Sequence, residues 1–438
     1  MVPTERHDMC DPGTIVRWEI GVDTGGTFTD CIATASGMPT RRAKVLSSSA
    51  LRARVVGGSG GRLEVSLPLA RTPEFACALL PGFRLGSNAG PRVCAVSLSD
   101  AGALLIHCES EPGTNTHAFV DLVSPWEAPI LAARVALERP GAMSLGDCRI
   151  CIGTTRGTNA LLEGETTPTL LVVNEGLEDI LRIGDKRRLD IFALAPSKSR
   201  RIEQLAIGVT ARLSPDDRVI EALDESALRR ASRIAIKRGL RAAAVALLHA
   251  AFGPNGSAIE RRIGEILREE GFTAVTLSHS CGGSSRFEPR AKCALVDASL
   301  SGPVGEFVRS IERSAEGAQL FMMTSAGGLT PLRAFHPRES LLSGPAGGVS
   351  AAARIAARHG FTKCITLDMG GTSADVARVE GSAELRDETT VGSATLASPS
   401  VAIESVAAGG GSILWCDAGT LRVGPRSAGA APGPACYG

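Results

Sequence analysis

The same eight-residue skeleton occurs twice, far apart in the chain. Asp23 to Asp30 reads DTGGTFTD and Asp368 to Asp375 reads DMGGTSAD. Both fit D-x-G-G-T-x-x-D, and both follow a short apolar run, Trp18 to Val22 and Cys364 to Leu367. An apolar run, a Gly-Gly pair and a second run of strand-forming residues predict a strand, a tight turn and a return strand. Glycines let such a turn take positive φ and let backbone N–H groups approach an anion closely. An Asp at the strand end is placed to hold a hydrated divalent cation. One turn of this kind is ordinary hairpin chemistry; two copies predict two related half-sites closing on one polyphosphate, against the alternative of two unrelated turns. Asp23 and Asp368 are thus the candidate catalytic and metal-holding carboxylates. Thr24, Gly25, Gly26 and Thr27, with Gly370, Gly371, Thr372 and Ser373, are the candidate phosphate-binding residues, and Asp30 and Asp375 read as hairpin-satisfying.

Further glycine-rich segments extend this pattern. Gly344, Gly347 and Gly348 in LLSGPAGGV precede an Ala-rich run that reads as a helix, which predicts a helix N-terminus open to an anion or, equally, close helix packing. Gly409, Gly410 and Gly411 form a turn whose N–H groups are candidates to face a ligand, with an ordinary loop as the alternative. In GTTRGTNALLE, the donors Thr154, Thr155, Thr158 and Asn159 are candidates for a small amide substrate or a phosphoryl oxygen, with helix capping as the alternative. Arg286, Glu288 and Arg290 read as a surface or interface ion-pair set, and His249 as a satisfied core histidine.

The 438 residues suffice for two or three domains, and their formal charge of +1 makes no electrostatic case for nucleic acid or a membrane surface. No run approaches the roughly 20 apolar residues of a membrane span. Twelve cysteines are scattered; the pair Cys148 and Cys151, in an apolar run, reads as buried strand thiols. With no signal peptide visible, a reducing cytoplasm is the expected compartment. Helices are expected from Ser124, with Ser124 as cap and Pro125 in the first turn, and after Asp224, with Leu228, Ala231, Ile234 and Ala235 on one face. Two more are expected around Ile259 to Leu267 and Pro303 to Ala315, alternating with strands Ala242 to Leu248 and Ala274 to Ser278. That alternation argues α/β.

The paired turns resemble the phosphate-binding hairpins of the actin, sugar-kinase and heat-shock-chaperone ATPase superfamily. GVDTGGTFTD, GTTRGTNALLE, AVALLHA, SAGGL, LLSGPAGGV, LDMGGTSADV, VAAGGGSIL and VGPRSAGAAPGPACYG are, in order along the chain, similar to the hydantoinase A / 5-oxoprolinase family. The resemblance implies a two-lobed actin-like (ribonuclease H-like) ATPase fold. It implies a tail over 1–12, an N-terminal region over 13–50 and 122–215, a β-rich insert over 51–121, and a hydantoinase A/oxoprolinase domain over 216–438. It further implies ATP and Mg²⁺ as cofactors, a cyclic amide such as 5-oxoproline or a hydantoin as substrate, and a hydantoinase B-like subunit or domain as partner. Ketone carboxylation by the same activation is the alternative within the family, and a non-catalytic, partner-binding remnant the alternative outside it.

Three departures from the family wording bear on that reading: Ala374 stands where a Thr is usual, Asp297 where an Asn is usual, and Ala402 and Glu404 where a carboxylate pairs with His or Asn. Cys436 has no identifiable base. The family continues beyond PACYG with a Gly-rich segment for the adenosine end, so the second lobe is expected to be incomplete, with one apolar face of the sheet begun at Cys364 uncovered.

Overall fold

The computed structural model describes residues 17–59, 62–68, 72–100, 102–110, 118–184, 192, 202–282, 286–315, 317–371, 373–392 and 394–428. The tail to Pro12, Thr372 and Cys436 lie outside them. The chain divides into two units, one running to Thr154 and taking in Phe307–Met322 and Leu329–Ala334, the other comprising Thr155–Glu306, Met323–Gly328 and the chain from Phe335. In chain order the elements that position the candidate site begin with β1 (Trp18–Thr24), β2 (Phe28–Thr34), β3 (Arg41–Leu46), α1 (Ala128–Leu137) and β4 (Cys148–Thr154). They continue with α2 (Arg156–Glu163), β5 (Thr169–Asn174), β6 (Leu205–Val209), β7 (Ala242–Val245), α3 (Pro254–Glu269), β8 (Ala274–Leu277) and α4 (Phe287–Ser299). The last are β9 (Gln319–Met323), α5 (Ser343–Arg358), β10 (Lys363–Met369), β11 (Ala374–Glu380) and β12 (Ile403–Val406).

In the first unit the sheet runs β3-β2-β1-β4-β9, with Leu329–Pro331 at the edge. The first three strands form an antiparallel meander, β4 lies parallel to β1, and β9 parallel to β4. This is the strand order of ribonuclease H-like folds. Period-two alternation explains the packing: Trp18, Ile20, Val22 and Thr24 of β1 are buried, while Glu19, Gly21 and Asp23 face the other way. Helix α1 packs on the sheet from the buried side and is itself buried along its whole length. It starts at Ala128 with Pro129 in its first turn, later than the sequence suggests, because the Ser124 hydroxyl accepts the Trp126 N–H (2.9 Å) and holds that stretch as a turn instead.

Between β3 and α1 lies a six-stranded antiparallel sheet spanning Ala50 to Val123. Hydrogen bonds from Gly82 to Val93 (2.8 Å), Val93 to Phe83 (2.8 Å) and Leu85 to Pro91 (3.0 Å) join its two edges, so these edge strands offer each other the backbone partners they otherwise lack.

The second unit holds a parallel sheet of order β6-β5-β7-β8. Strands β5 and β7 are buried at every position, as expected for a parallel sheet covered on both faces. The helix Glu225–Lys237 starts where expected, with Asp224 accepting the Ala227 N–H (2.9 Å). Its buried stripe, however, is Leu228, Ser232 and Ala235; Ile234 is exposed, and the Ser232 hydroxyl satisfies itself on the Leu228 carbonyl (2.8 Å).

Farther on, β10, β11 and β12 form an antiparallel sheet packed on α5 by Cys364, Ala377, Val379 and Ile403. Ile365, Leu367 and Met369 point to the other side and are 77%, 66% and 60% exposed. The equivalent positions of β1, Ile20, Val22 and Thr24, are 2%, 5% and 6% exposed. The apolar face expected to be uncovered is therefore uncovered among the described residues.

Among the described residues all cysteines are free thiols. Cys148 is buried and Cys151 half-buried in β4, as expected. Burial pushes the Cys31 and Cys148 thiols up to about 12, from an ordinary 9.0. Cys94 and Cys416 are exposed. At pH 8 an alkylating reagent is therefore expected to label Cys94 and Cys416 at least roughly tenfold faster than Cys31 and Cys148, read by peptide mass spectrometry. The buried thiols keep their protons in the fold where the unfolded chain loses them. Their contribution to stability is thus complete below pH 9 and declines as the pH rises from about 9 toward 12.

Candidate functional site

The two repeated motifs fold into the same turn. In the first unit Asp23 pairs with Asp30 across β1 and β2, and the Gly25 N–H donates to the Phe28 carbonyl (3.1 Å). In the second unit Asp368 pairs with Asp375 across β10 and β11, and the Gly370 N–H donates to the Ser373 carbonyl (2.9 Å). The motif positions correspond one to one, so a local sequence rule produces a local hydrogen-bond rule twice. In both turns the leading Asp is exposed at the end of its strand. The tips are open as well. Gly26 and Thr27 are exposed, and their N–H groups have no acceptor among the described residues. A Cβ on Gly371 would meet nothing within 4 Å. A concave tip of backbone donors at the end of a rigid strand pair suits anionic oxygens.

Asp30 takes the plain role expected of it: Lys44 binds both its oxygens, at 2.8 and 2.9 Å. That pair is exposed and contributes little to stability. Among the described residues no group of three or more His, Cys, Asp or Glu side chains converges as a metal cage. A Mg²⁺ ion that keeps most of its waters and takes one or two carboxylates together with phosphate oxygens needs no such cage, and a single carboxylate beside a turn of open amides fits it.

Several expectations are corrected by geometry. Thr24 and Thr154 face each other across β1 and β4 and are buried on the α1 side, opposite the face of Asp23. Strand alternation therefore removes their hydroxyls from the Asp23 face. The Thr158 hydroxyl accepts the Leu342 N–H (3.1 Å), tying α2 to the start of α5, and Asn159 lies 3.5 Å from the Thr155 hydroxyl. Those donors brace the chain. Gly347 and Gly348 lie in the second turn of α5, where helical N–H groups are already engaged with carbonyls four residues back, so only Gly344 belongs to its open first turn. The Gly409–Gly411 amides do not face a ligand either: Gly409 donates to the Ser412 hydroxyl (2.8 Å), Gly410 to the Gly370 carbonyl (2.9 Å) and Gly411 to the Gly371 carbonyl (2.7 Å). Ser47 performs a matching task at the first turn, its N–H donating to the Thr27 carbonyl (2.9 Å). Nothing in the sequence around Ser47 signals this.

Arg290 is not at a surface. It is 2% exposed and lies 3.6 Å from Glu260, which is fully buried. Asp297, in place of the usual Asn, is buried as well: it accepts the Thr276 hydroxyl (2.9 Å) and the Arg338 N–H (3.1 Å) and pairs with the Arg338 guanidinium at 3.3 Å. Glu404, in the other departing stretch, pairs with Arg386. No helix of the described residues is long and apolar enough to cross a membrane.

The hydantoinase/oxoprolinase family profile matches residues 290–438, and the profile of the hydantoinase/oxoprolinase N-terminal region matches residues 118–271. 5-Oxoprolinase 1 of Arabidopsis thaliana is 35% identical over 312 residues, covering 66% of this chain and 24% of that protein. Caprolactamase subunit alpha of Pseudomonas jessenii is 30% identical over 372 residues, covering 81% of this chain and 52% of that protein. The crystal structure of that ATP-dependent caprolactamase matches with a TM-score of 0.62 at 25% identity, over 96% of this chain and 52% of the other. The nucleotide-free acetone carboxylase structure matches with a TM-score of 0.64 at 20% identity, over 95% and 52%, which speaks to the fold alone. The chain spans about a quarter of the length of the 5-oxoprolinases it matches and about half of the caprolactamase subunit.

Proposed function

The chain belongs to the hydantoinase/oxoprolinase family, and from that premise we propose that it is the ATP-binding portion of an enzyme that opens a cyclic amide of the 5-oxoproline or hydantoin type. The observation that carries this reading is the repeated turn, with one register and one closing hydrogen bond in both copies. In this reading each turn binds phosphate oxygens through its tip amides, and Asp23 and Asp368 are the carboxylates offered to Mg²⁺. When bound, that ion neutralises phosphate charge and orients the nucleotide. The chain's own contribution is positioning and charge stabilisation. Transfer of the terminal phosphoryl group to the amide oxygen makes the carbonyl carbon electrophilic, and water then opens the ring with release of phosphate. A hydantoinase B-like subunit or domain is the proposed partner; the name of the caprolactamase relative, a subunit alpha, supports an assembly of more than one part.

Calorimetric titration of the chain with Mg·ATP tests this. The parent is expected to bind, and Asp23→Ala and Asp368→Ala are each expected to weaken binding at least about tenfold, which corresponds to about 1.4 kcal/mol. A folded parent that takes up no Mg·ATP, or substitutions without effect, would overturn the reading.

A further inference from the structure

We infer that the Gly409–Ser412 segment is a positioning strap that presets the second phosphate turn by holding its carbonyls from behind. The inference rests on the reading that this turn binds phosphate, and it assigns the segment a role other than ligand contact. The Gly370 carbonyl accepts from Gly410 (2.9 Å), and the Gly371 carbonyl accepts from Gly411 (2.7 Å) and from the Ser427 hydroxyl (3.3 Å). In a trans peptide the N–H points opposite to the C=O. Fixing the Gly370 carbonyl on the strap therefore aims the Gly371 N–H to the side away from the strap. A Cβ on Gly371 would meet nothing within 4 Å, so the residue is not itself packed over.

The strap is itself anchored. The Gly409 N–H bonds the Ser412 hydroxyl (2.8 Å), the Ser412 N–H bonds the Gly409 carbonyl (3.0 Å), and the Ala428 N–H bonds the Gly411 carbonyl (2.8 Å). A Gly-Gly turn without such support samples many peptide orientations, and a donor that must reorient on binding loses part of its electrostatic value. The strap thus pre-organises the turn with backbone groups alone.

A matched pair of substitutions separates this role from ordinary packing. Gly410 does not have a positive φ, and a Cβ there would lie 3.9 Å from the Gly370 carbonyl, an ordinary contact. Gly410→Ala keeps the N–H, whereas Gly410→Pro removes it. With the full chain, Mg·ATP affinity is expected to stay within about threefold for Gly410→Ala and to fall at least about tenfold for Gly410→Pro. The urea midpoint of each variant is read alongside. Loss of fold lowers the midpoint together with the affinity, whereas loss of the strap lowers Mg·ATP affinity with the fold retained. Should Gly410→Pro fail to fold, Ser412→Ala, which deletes the hydroxyl that receives the Gly409 N–H, is expected to weaken Mg·ATP about threefold and to speed hydrogen exchange at the Gly410 and Gly411 amides. Equal ATP affinity in Gly410→Ala and Gly410→Pro, or in Ser412→Ala and the parent, would overturn the strap while leaving phosphate binding intact. Absence of Mg·ATP binding in the parent would overturn the phosphate reading, and the strap's role with it.

Discussion

Glu260→Gln is expected to destabilise the second unit by about 3–5 kcal/mol, although the replacement is nearly isosteric. One Glu260 oxygen accepts the Leu247 N–H (2.9 Å) and the Ser278 hydroxyl (2.6 Å), and the other accepts the His279 N–H (2.9 Å) and meets the His279 ring nitrogen at 2.7 Å. Whichever oxygen becomes an amide nitrogen then faces a backbone donor. The nearby Arg290, which also bonds the Ser278 hydroxyl and the Leu247 carbonyl (2.9 Å), loses its counter-charge in a site closed to water. An unpaired buried ion costs far more than the pair contributes, which sets the size of the effect. Urea denaturation, with hydrogen exchange at the Leu247 and His279 amides, gives both the global and the local reading. Glu265→Gln on the same helix is the control: its side chain is 58% exposed in its pair with Arg262, so a change within about 0.5 kcal/mol is expected. A Glu260→Gln midpoint equal to that of the control would show that the network does not hold the unit.

Asn174→Leu is the second large effect. Asn174 ends β5 and is 2% exposed. Its amide nitrogen donates to the Ala211 carbonyl (2.7 Å), and its oxygen accepts the Leu248 N–H (2.6 Å). One side chain thereby ties the end of β5 to the segment after β6 and to the segment after β7. Leucine fills the volume but strands one buried carbonyl and one N–H. At about 1–3 kcal/mol for each unsatisfied group, a loss of roughly 2–4 kcal/mol is expected. Asn174→Asp keeps the acceptor but sets a carboxylate oxygen against the Ala211 carbonyl in a buried site, so at neutral pH it should be at least as destabilising as Asn174→Leu in the same denaturation series. A reversed order of the two variants would contradict this account. In open α/β sheets the carboxyl ends of parallel strands often form a ligand crevice. Here Glu260, Ser278 and Arg290 fill that end with mutually bonded side chains, and Asn174 bonds the Ala211 carbonyl and the Leu248 N–H beside them.

Local rules carried the sequence reading a long way. The turns at Gly25 and Gly370, the capping of the Glu225–Lys237 helix by Asp224, and the strand–helix alternation of the second unit all follow from residues close together in sequence. Such features depend on backbone sterics and nearest-neighbour hydrogen bonds, which the chain carries wherever it folds. Partners that lie far along the chain leave no such local signal. Arg290 has charged and small neighbours in sequence, and only the return of α3 beside α4 puts it next to Glu260. The Thr158 hydroxyl finds its donor at Leu342, 184 residues away, and the Gly410 and Gly411 amides find their acceptors back at the Gly370 and Gly371 carbonyls.

The two motifs show the division most directly. By itself the sequence determined that Asp23 and Asp368 would each lead a glycine turn between paired strands. The family resemblance led one apolar face of the second sheet to be expected bare; that it is the face of Ile365 and Leu367, while Ile20 and Val22 are buried under α1, was decided by tertiary structure. The cause is physical: a strand's pattern sets which residues share a face, but burial of that face depends on what packs against it.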